Sequence, residues 1–245
     1  MTKRFLPLLF VLAVLFIASC KKENELLNPS EPSRNYYPLT RGHYVIYDVD
    51  STIWNDFDGS KTLRHSQMSY TVSDTFTDNE QRKSYQVDVL VRNSDTSQWR
   101  TSDVFYVTPT LTGLDVVQNN LRFLKMVYPV ANGTTWKGNS QIAVNDQDLS
   151  FYADWNYKYS KVGESYNNSR VNFDNTVIVD EVDASLNDPE TTPNSYAERT
   201  YSREVYAYNI GLVYREYVRW VYDQNASGVY ARKGYGVTMR AVDHN

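Results

Sequence analysis

An all-β protein is what this sequence predicts: a large antiparallel sheet, curled into an incomplete barrel or folded as a two-layer sandwich, with two similar halves. Three observations lead there. Apolar and aromatic residues alternate with polar ones at a period of two from Tyr36 onward. Clusters of Asn, Asp, Gly and Pro interrupt that alternation at short intervals. After the N-terminal apolar run, no stretch keeps an apolar period of 3.6 for more than about two turns. Strands joined by short polar turns, without helices for crossover connections, must pair antiparallel. Roughly ten strands are more than an open flat sheet accommodates, so the sheet has to curl or split.

Each segment carries its own signal. Val45, Tyr47, Val49 and Ile53 alternate with Ile46, Asp48, Asp50 and Thr52. Met68, Tyr70, Val72 and Phe76 repeat the pattern, and so do Tyr85, Val87, Val89 and Val91. Further strands are expected over residues 99–107, 121–127, 151–162, 175–183, 199–208, 212–222 and 236–242. Turns fall at 56–59, 77–80, 93–95, Asn119-Asn120, Asn132-Gly133, 187–189 and 225–228. On 212–222, Leu212, Tyr214, Val218, Trp220 and Tyr222 share one face, which reads as core. Val213, Arg215, Tyr217, Arg219 and Val221 share the other, an Arg-Tyr strip that reads as salt-linked sheet surface.

Before the strands, Lys3 and Arg4 precede an uncharged apolar run that ends in Ile17-Ala18-Ser19-Cys20. This is the layout of a bacterial lipoprotein signal: basic start, short apolar core, small residues at the cut, and a cysteine to be acylated. Residues 5–18 are too few for a permanent span, which needs about 20 apolar residues. Cys20 is the only cysteine, so the chain has no intramolecular disulfide. The expected organisation is therefore a signal peptide over 1–19, a lipidated tether over 20–35 and one β domain over 36–245. Acyl chains on Cys20 would hold it on the outer membrane, facing the periplasm or the cell surface.

A short echo runs through the chain. Tyr37-Pro38-Leu39 with Gly42 matches Tyr128-Pro129-Val130 with Gly133, each ahead of an aromatic alternating strand. With these residues the segments YYPLTRGHYVIY, VYPVANGTTWKGN and REVYAYNIGLVYREY resemble motifs of a broad family of Gram-negative β-rich lipoproteins of uncharacterised function. Pro38, Leu39, Gly42 and Tyr47 fit the family's opening pattern, with Val45 where it has tryptophan; Tyr206-Ala207 and Gly211 to Tyr214 fit its late one. The resemblance implies a β-rich lipoprotein and brings no catalytic residue set.

Composition narrows the partners. The formal charge is −4, and loss of Lys3 and Arg4 with the signal makes it −6, with no basic stripe, so nucleic acid is not an expected partner. His43, His65 and His244 are isolated, without the spacing of a metal site or a catalytic triad. Neither a phosphate-cradling glycine loop nor a nucleophile elbow occurs, and no cofactor or metal is expected. Asp56 and Asp58 begin like a calcium loop, but the distal ligands are missing, which leaves a polar hairpin turn.

What remains is the aromatic content: 21 Tyr, 9 Phe and 5 Trp, enough to furnish a recognition surface as well as a core. Rigid rings with polar tips suit sugar or protein binding at low ordering cost. The sequence thus predicts a non-enzymatic binding or assembly component of the cell envelope, with a glycan or an envelope protein as partner. Trp155, Tyr217 and Trp220 are the candidate contacts. Two alternatives stand beside it: a glycan hydrolase using a carboxylate pair, and an incomplete barrel that shuttles lipid.

Overall fold

The structure, a computed structural model, describes residues 32–245. The signal peptide over 1–19, Cys20 and the tether up to residue 31 lie outside the described residues. The described chain forms β1 (Tyr44–Trp54), β2 (Lys61–Thr77), β3 (Lys83–Arg92), β4 (Arg100–Pro109), β5 (Gly113–Gln118), β6 (Leu121–Val127), β7 (Thr135–Trp136), β8 (Tyr157–Asn167), β9 (Asn172–Leu186), β10 (Ala197–Ala207), β11 (Gly211–Gln224) and β12 (Tyr230–His244). They make one sheet in the order β6-β5-β4-β3-β2-β1-β12-β11-β10-β9-β8-β7, and every pairing is antiparallel. The all-β expectation holds, and the sheet closes almost completely into a barrel.

The two free edges, β6 and β7, are sewn together rather than laddered. Trp136 Nε1 donates to the Leu124 carbonyl at 2.8 Å, and Leu124 N donates to the Gly138 carbonyl at 2.8 Å. The Tyr159 hydroxyl accepts from Val127 N at 2.9 Å and donates to the Val127 carbonyl at 3.0 Å. Satisfying edge backbone groups in this way removes the exposed template that an open sheet presents.

The echo in the sequence marks the two halves, β1–β6 and β7–β12. Gly42 and Gly133 both take positive φ, +88° and +81°. Gly42 N donates to the Val72 carbonyl on β2, and Gly133 N donates to the Tyr159 carbonyl on β8, at 2.8 and 2.9 Å. Each half thus opens with the same turn, docked on its own second strand.

Period two decides which side chains enter the barrel. Val45, Tyr47 and Val49 of β1, Val87 and Val89 of β3, Phe105 and Val107 of β4, and Val177 and Val179 of β9 are all buried. Each contributes about 1.5–3 kcal/mol of burial. On β11 the inward face is the reverse of the one expected. Arg215 and Tyr217 face inward and Trp220 outward: Tyr217 is buried, and Arg215 reaches the buried Glu204 at 3.6 Å. Glu204 supplies the counter-charge that makes an inward arginine tolerable, a partner that alternation alone does not reveal. Outside, Trp220 lies against Gly234, where an added methyl would run into the Arg219 carbonyl and the Trp220 backbone, and Arg232 stacks over its ring at 5.0 Å. Two short strands, β5 and β7, were not expected. Residues 151–156, expected as strand, hold the end of a 3-10 turn (Gln147–Tyr152) and a loop before β8.

One end of the barrel is plugged by the chain's own lead-in. Pro32–Tyr36 form a 3-10 turn, so residues 32–35 belong to the folded body rather than to the tether. Arg34 donates to the Thr110 and Leu111 carbonyls, Ser33 Oγ accepts from Val130 N, and the Tyr36 hydroxyl donates to Asn175. Asn209 N donates to the Asn35 carbonyl, and His43 pairs with the Ile210 carbonyl at 2.9 Å. The lead-in therefore touches the β4–β5, β6–β7 and β10–β11 connections in turn. On the outside, the β8–β9 hairpin tip folds over β11, β12 and β1. There Asn168 Nδ2 donates to the Val213 and Ala241 carbonyls where the strand registers shift, and Arg170 pairs with Asp48 at 3.3 Å.

Candidate functional site

Two bulges place charge inside an otherwise apolar barrel. On β6, Leu124 pairs with Asp115 and Met126 with Leu114, which leaves Lys125 as the extra residue. On β9, Asp180 pairs with Arg203 and Val182 with Ser202, which leaves Glu181 as the extra residue. A bulge re-aims the side chain it carries, and here both turn inward. Lys125 Nζ donates to Glu181 Oε1 at 2.7 Å and to Glu204 Oε1 at 2.9 Å. The remaining carboxylate oxygens are met as well. Ser202 Oγ donates to Glu181 Oε2 and the Tyr206 hydroxyl donates to Glu204 Oε2, each at 2.6 Å.

Burial and charge pull these groups in different directions. Burial would raise Glu204, but Lys125 and Arg215 hold its carboxyl down to about 2. Glu181 is pushed above the usual carboxylate range by burial and by the neighbouring Glu204 charge. Burial works against the Lys125 ammonium, yet Glu181 and Glu204 keep it above its ordinary value. The Lys125 ammonium and the Glu204 carboxylate are therefore held in their charged forms.

Above it lies a crevice of about 90 Å³, opening beside the β5–β6 turn at the end opposite the plug. Lys125, Glu181, Ser202 and Arg215 form its polar floor. Phe123, Tyr152, Trp155, Tyr157, Tyr217 and Tyr235 form its walls. The segment between β7 and β8 supplies part of the wall. The Tyr152 ring sits 5.7 Å from Phe123 and 5.2 Å from Trp155, while Arg219 of β11 lies 3.9 Å over Phe151. Tyr235 is 52% exposed and stacks on Tyr217 at 5.1 Å, so one aromatic face of the crevice meets solvent.

Of the three residues singled out in the sequence, Trp155 and Tyr217 meet in this crevice, their rings 6.4 Å apart. Trp220, on the outer face, does not take part. Lys125, Glu181, Glu204 and Arg215 gave no motif to find, because they come from four strands and two of them ride on bulges. The three histidines remain separate, His43 in the plug, His65 on Asp50 at 3.0 Å and His244 beside Phe173. Asp58 caps Ser60 N in the expected hairpin turn.

A larger groove of about 410 Å³ runs along the outer face of β2–β5, between Phe76 and Tyr106. Several of its polar groups are already paired: Ser84 with Thr108 at 2.7 Å, Asp78 with Arg82 at 2.8 Å and Arg122 with Glu80 at 3.3 Å. The smaller interior crevice is the better site, because its donors outnumber their protein acceptors.

No family profile and no curated protein matches the chain. Among solved structures, it is similar to a protein from Bacteroides fragilis described as exported and of YmcC-like fold. The two share 13% identity and a TM-score of 0.38 over 85% of this chain and 98% of that one. It is similar also to a protein from Parabacteroides distasonis described as a lipoprotein, with 14% identity and a TM-score of 0.37 over 86% and 98%.

Proposed function

We propose that the chain is an outer-membrane lipoprotein, acylated at Cys20, whose barrel binds an envelope glycan at its open end without turning it over. The observation that carries this reading is the crevice itself, with aromatic walls that can stack on sugar faces and a polar floor that can take hydroxyls. Hydrolysis by a carboxylate pair is the weaker reading. A glycosidase needs its scissile bond between the two acids, and Lys125 Nζ already lies between Glu181 and Glu204, within hydrogen-bonding distance of both.

The test is titration of the purified lipoprotein with envelope glycans, with the products analysed afterwards. Saturable binding without chain cleavage is expected. Tyr235→Ala should weaken it at least about tenfold, the loss of one good aromatic contact, while leaving the melting temperature within about 2 °C of wild type. Absence of glycan binding, or release of shortened chains, would overturn the proposal.

A further inference from the structure

The floor of the crevice has donors to spare, and each oxygen of its two carboxylates is already engaged. Lys125 has three N–H donors, and its two carboxylate partners occupy two of them. Arg215, which lines the crevice, carries five; its buried Nε is turned to Glu204 Oε1 at 3.6 Å, so it is the rest of the guanidinium that meets a ligand there. Behind the lining, Arg219 adds a third cation, its guanidinium over the Phe151 ring at 3.9 Å and its Nη1 donating to Thr200 Oγ1 at 3.4 Å. Against these stand Glu181 and Glu204, and each of their four oxygens already accepts a bond from Lys125, Ser202 or Tyr206. A buried donor left unmatched is costly, so the crevice favours whatever brings an acceptor, most of all a charged one.

Shape narrows the choice further. About 90 Å³ is room for a few waters, or for one small group and the edge of a ring, but not for a whole chain. The wall at the mouth is the stacked pair Tyr217 and Tyr235, which presents a flat face to anything lying across it. We infer that the ligand is an acidic glycan, and that the carboxylate of one uronic acid residue enters the crevice. Arg215 receives that carboxylate, the spare donor of Lys125 supports it, and the sugar ring rests on Tyr235. This inference rests on the glycan-binding reading above and adds the charge of the ligand to it.

Calorimetric titration of the full lipoprotein tests it with uronic acid oligomers of galacturonate, glucuronate and mannuronate, each beside its own methyl ester. The ester keeps the ring and removes only the charge. At least one acid should bind about tenfold or more tightly than its ester, the effect of a single charge-assisted hydrogen bond. Arg215→Gln should erase that preference. Arg219→Gln, outside the buried network, should reduce it several-fold while keeping a cooperative thermal transition, which keeps the test sound if Arg215→Gln fails to fold. Acids and esters bound equally would overturn the acidic inference and leave glycan binding standing. No binding by any oligomer or ester, alongside saturable binding of neutral envelope glycans, would overturn it in the same way. Failure with every glycan would overturn both.

Discussion

At the residue scale the molecule turns on four charged side chains held out of water. Removing one partner of a buried ionic network leaves the others uncompensated and typically costs about 3–5 kcal/mol. Glu204→Gln should therefore lower stability by that amount at neutral pH, as urea denaturation would show. The pH dependence has a definite sign. Glu204 titrates near 2 in the folded protein, below the ordinary 4.5, so the unfolded chain binds the proton first as pH falls. Its stabilising contribution is complete above about 4.5 and disappears as pH falls toward 2. The gap between wild type and Glu204→Gln should accordingly shrink between pH 5 and pH 3, both measured by urea denaturation; a gap constant with pH would mean that Glu204 acts through packing alone. None of this was legible in the sequence. Lys125 and Glu181 sit in ordinary alternating strands, and only the bulges beside them decide that they face inward. Trp155 and Tyr217 could be singled out because large rings are conspicuous, but parity placed Tyr217 and Arg215 on the wrong side, since it takes the more apolar face for the core.

At the element scale, the weak place is the seam between β6 and β7, where side chains stand in for a ladder. The Tyr159 hydroxyl serves both the N–H and the carbonyl of Val127. Tyr159→Phe strips two backbone groups of their partner at once and should cost about 1–3 kcal/mol. Its signature is regional: amide exchange should quicken across β6 and β7 and stay unchanged across β11 and β12. Uniform acceleration would show that the seam is not a separate unit of stability. Long strands were the most readable elements, because β1, β2, β3 and β11 alternate over many residues and end at turn formers. The two-residue β7 offers no period to read. Residues 151–156 misled because Phe151, Tyr152 and Trp155 suit a strand by composition, while Asp146 caps a 3-10 turn that takes in Phe151 and Tyr152.

For the whole molecule, the strand order joins the beginning of the sheet to its end. β1 pairs with β12 from Val45 opposite His244 to Trp54 opposite Gly234, while the other ladders join strands adjacent in sequence. A chain stopped after Gln224 would expose the edges of β1 and β11 and lose the buried Met239 and Ala241. It should show no cooperative thermal transition by circular dichroism; a sharp melt near that of the full protein would show that closure is dispensable. A sheet that must curl or split was legible from strand number and turn spacing, whereas the choice of barrel over sandwich and the closure of β1 on β12 were not, because register depends on partners far apart in sequence. The same pairing fixes an order of events in time. β1 is the first strand to be synthesised and the last to find its second neighbour, across a loop of nearly the whole domain, and such non-local closure is slow. Until the fifteen residues of β12, Tyr230–His244, have emerged, the sheet cannot complete itself. Completion of the sheet thus waits on β12, and until it pairs, β1 and β11 each keep an open edge.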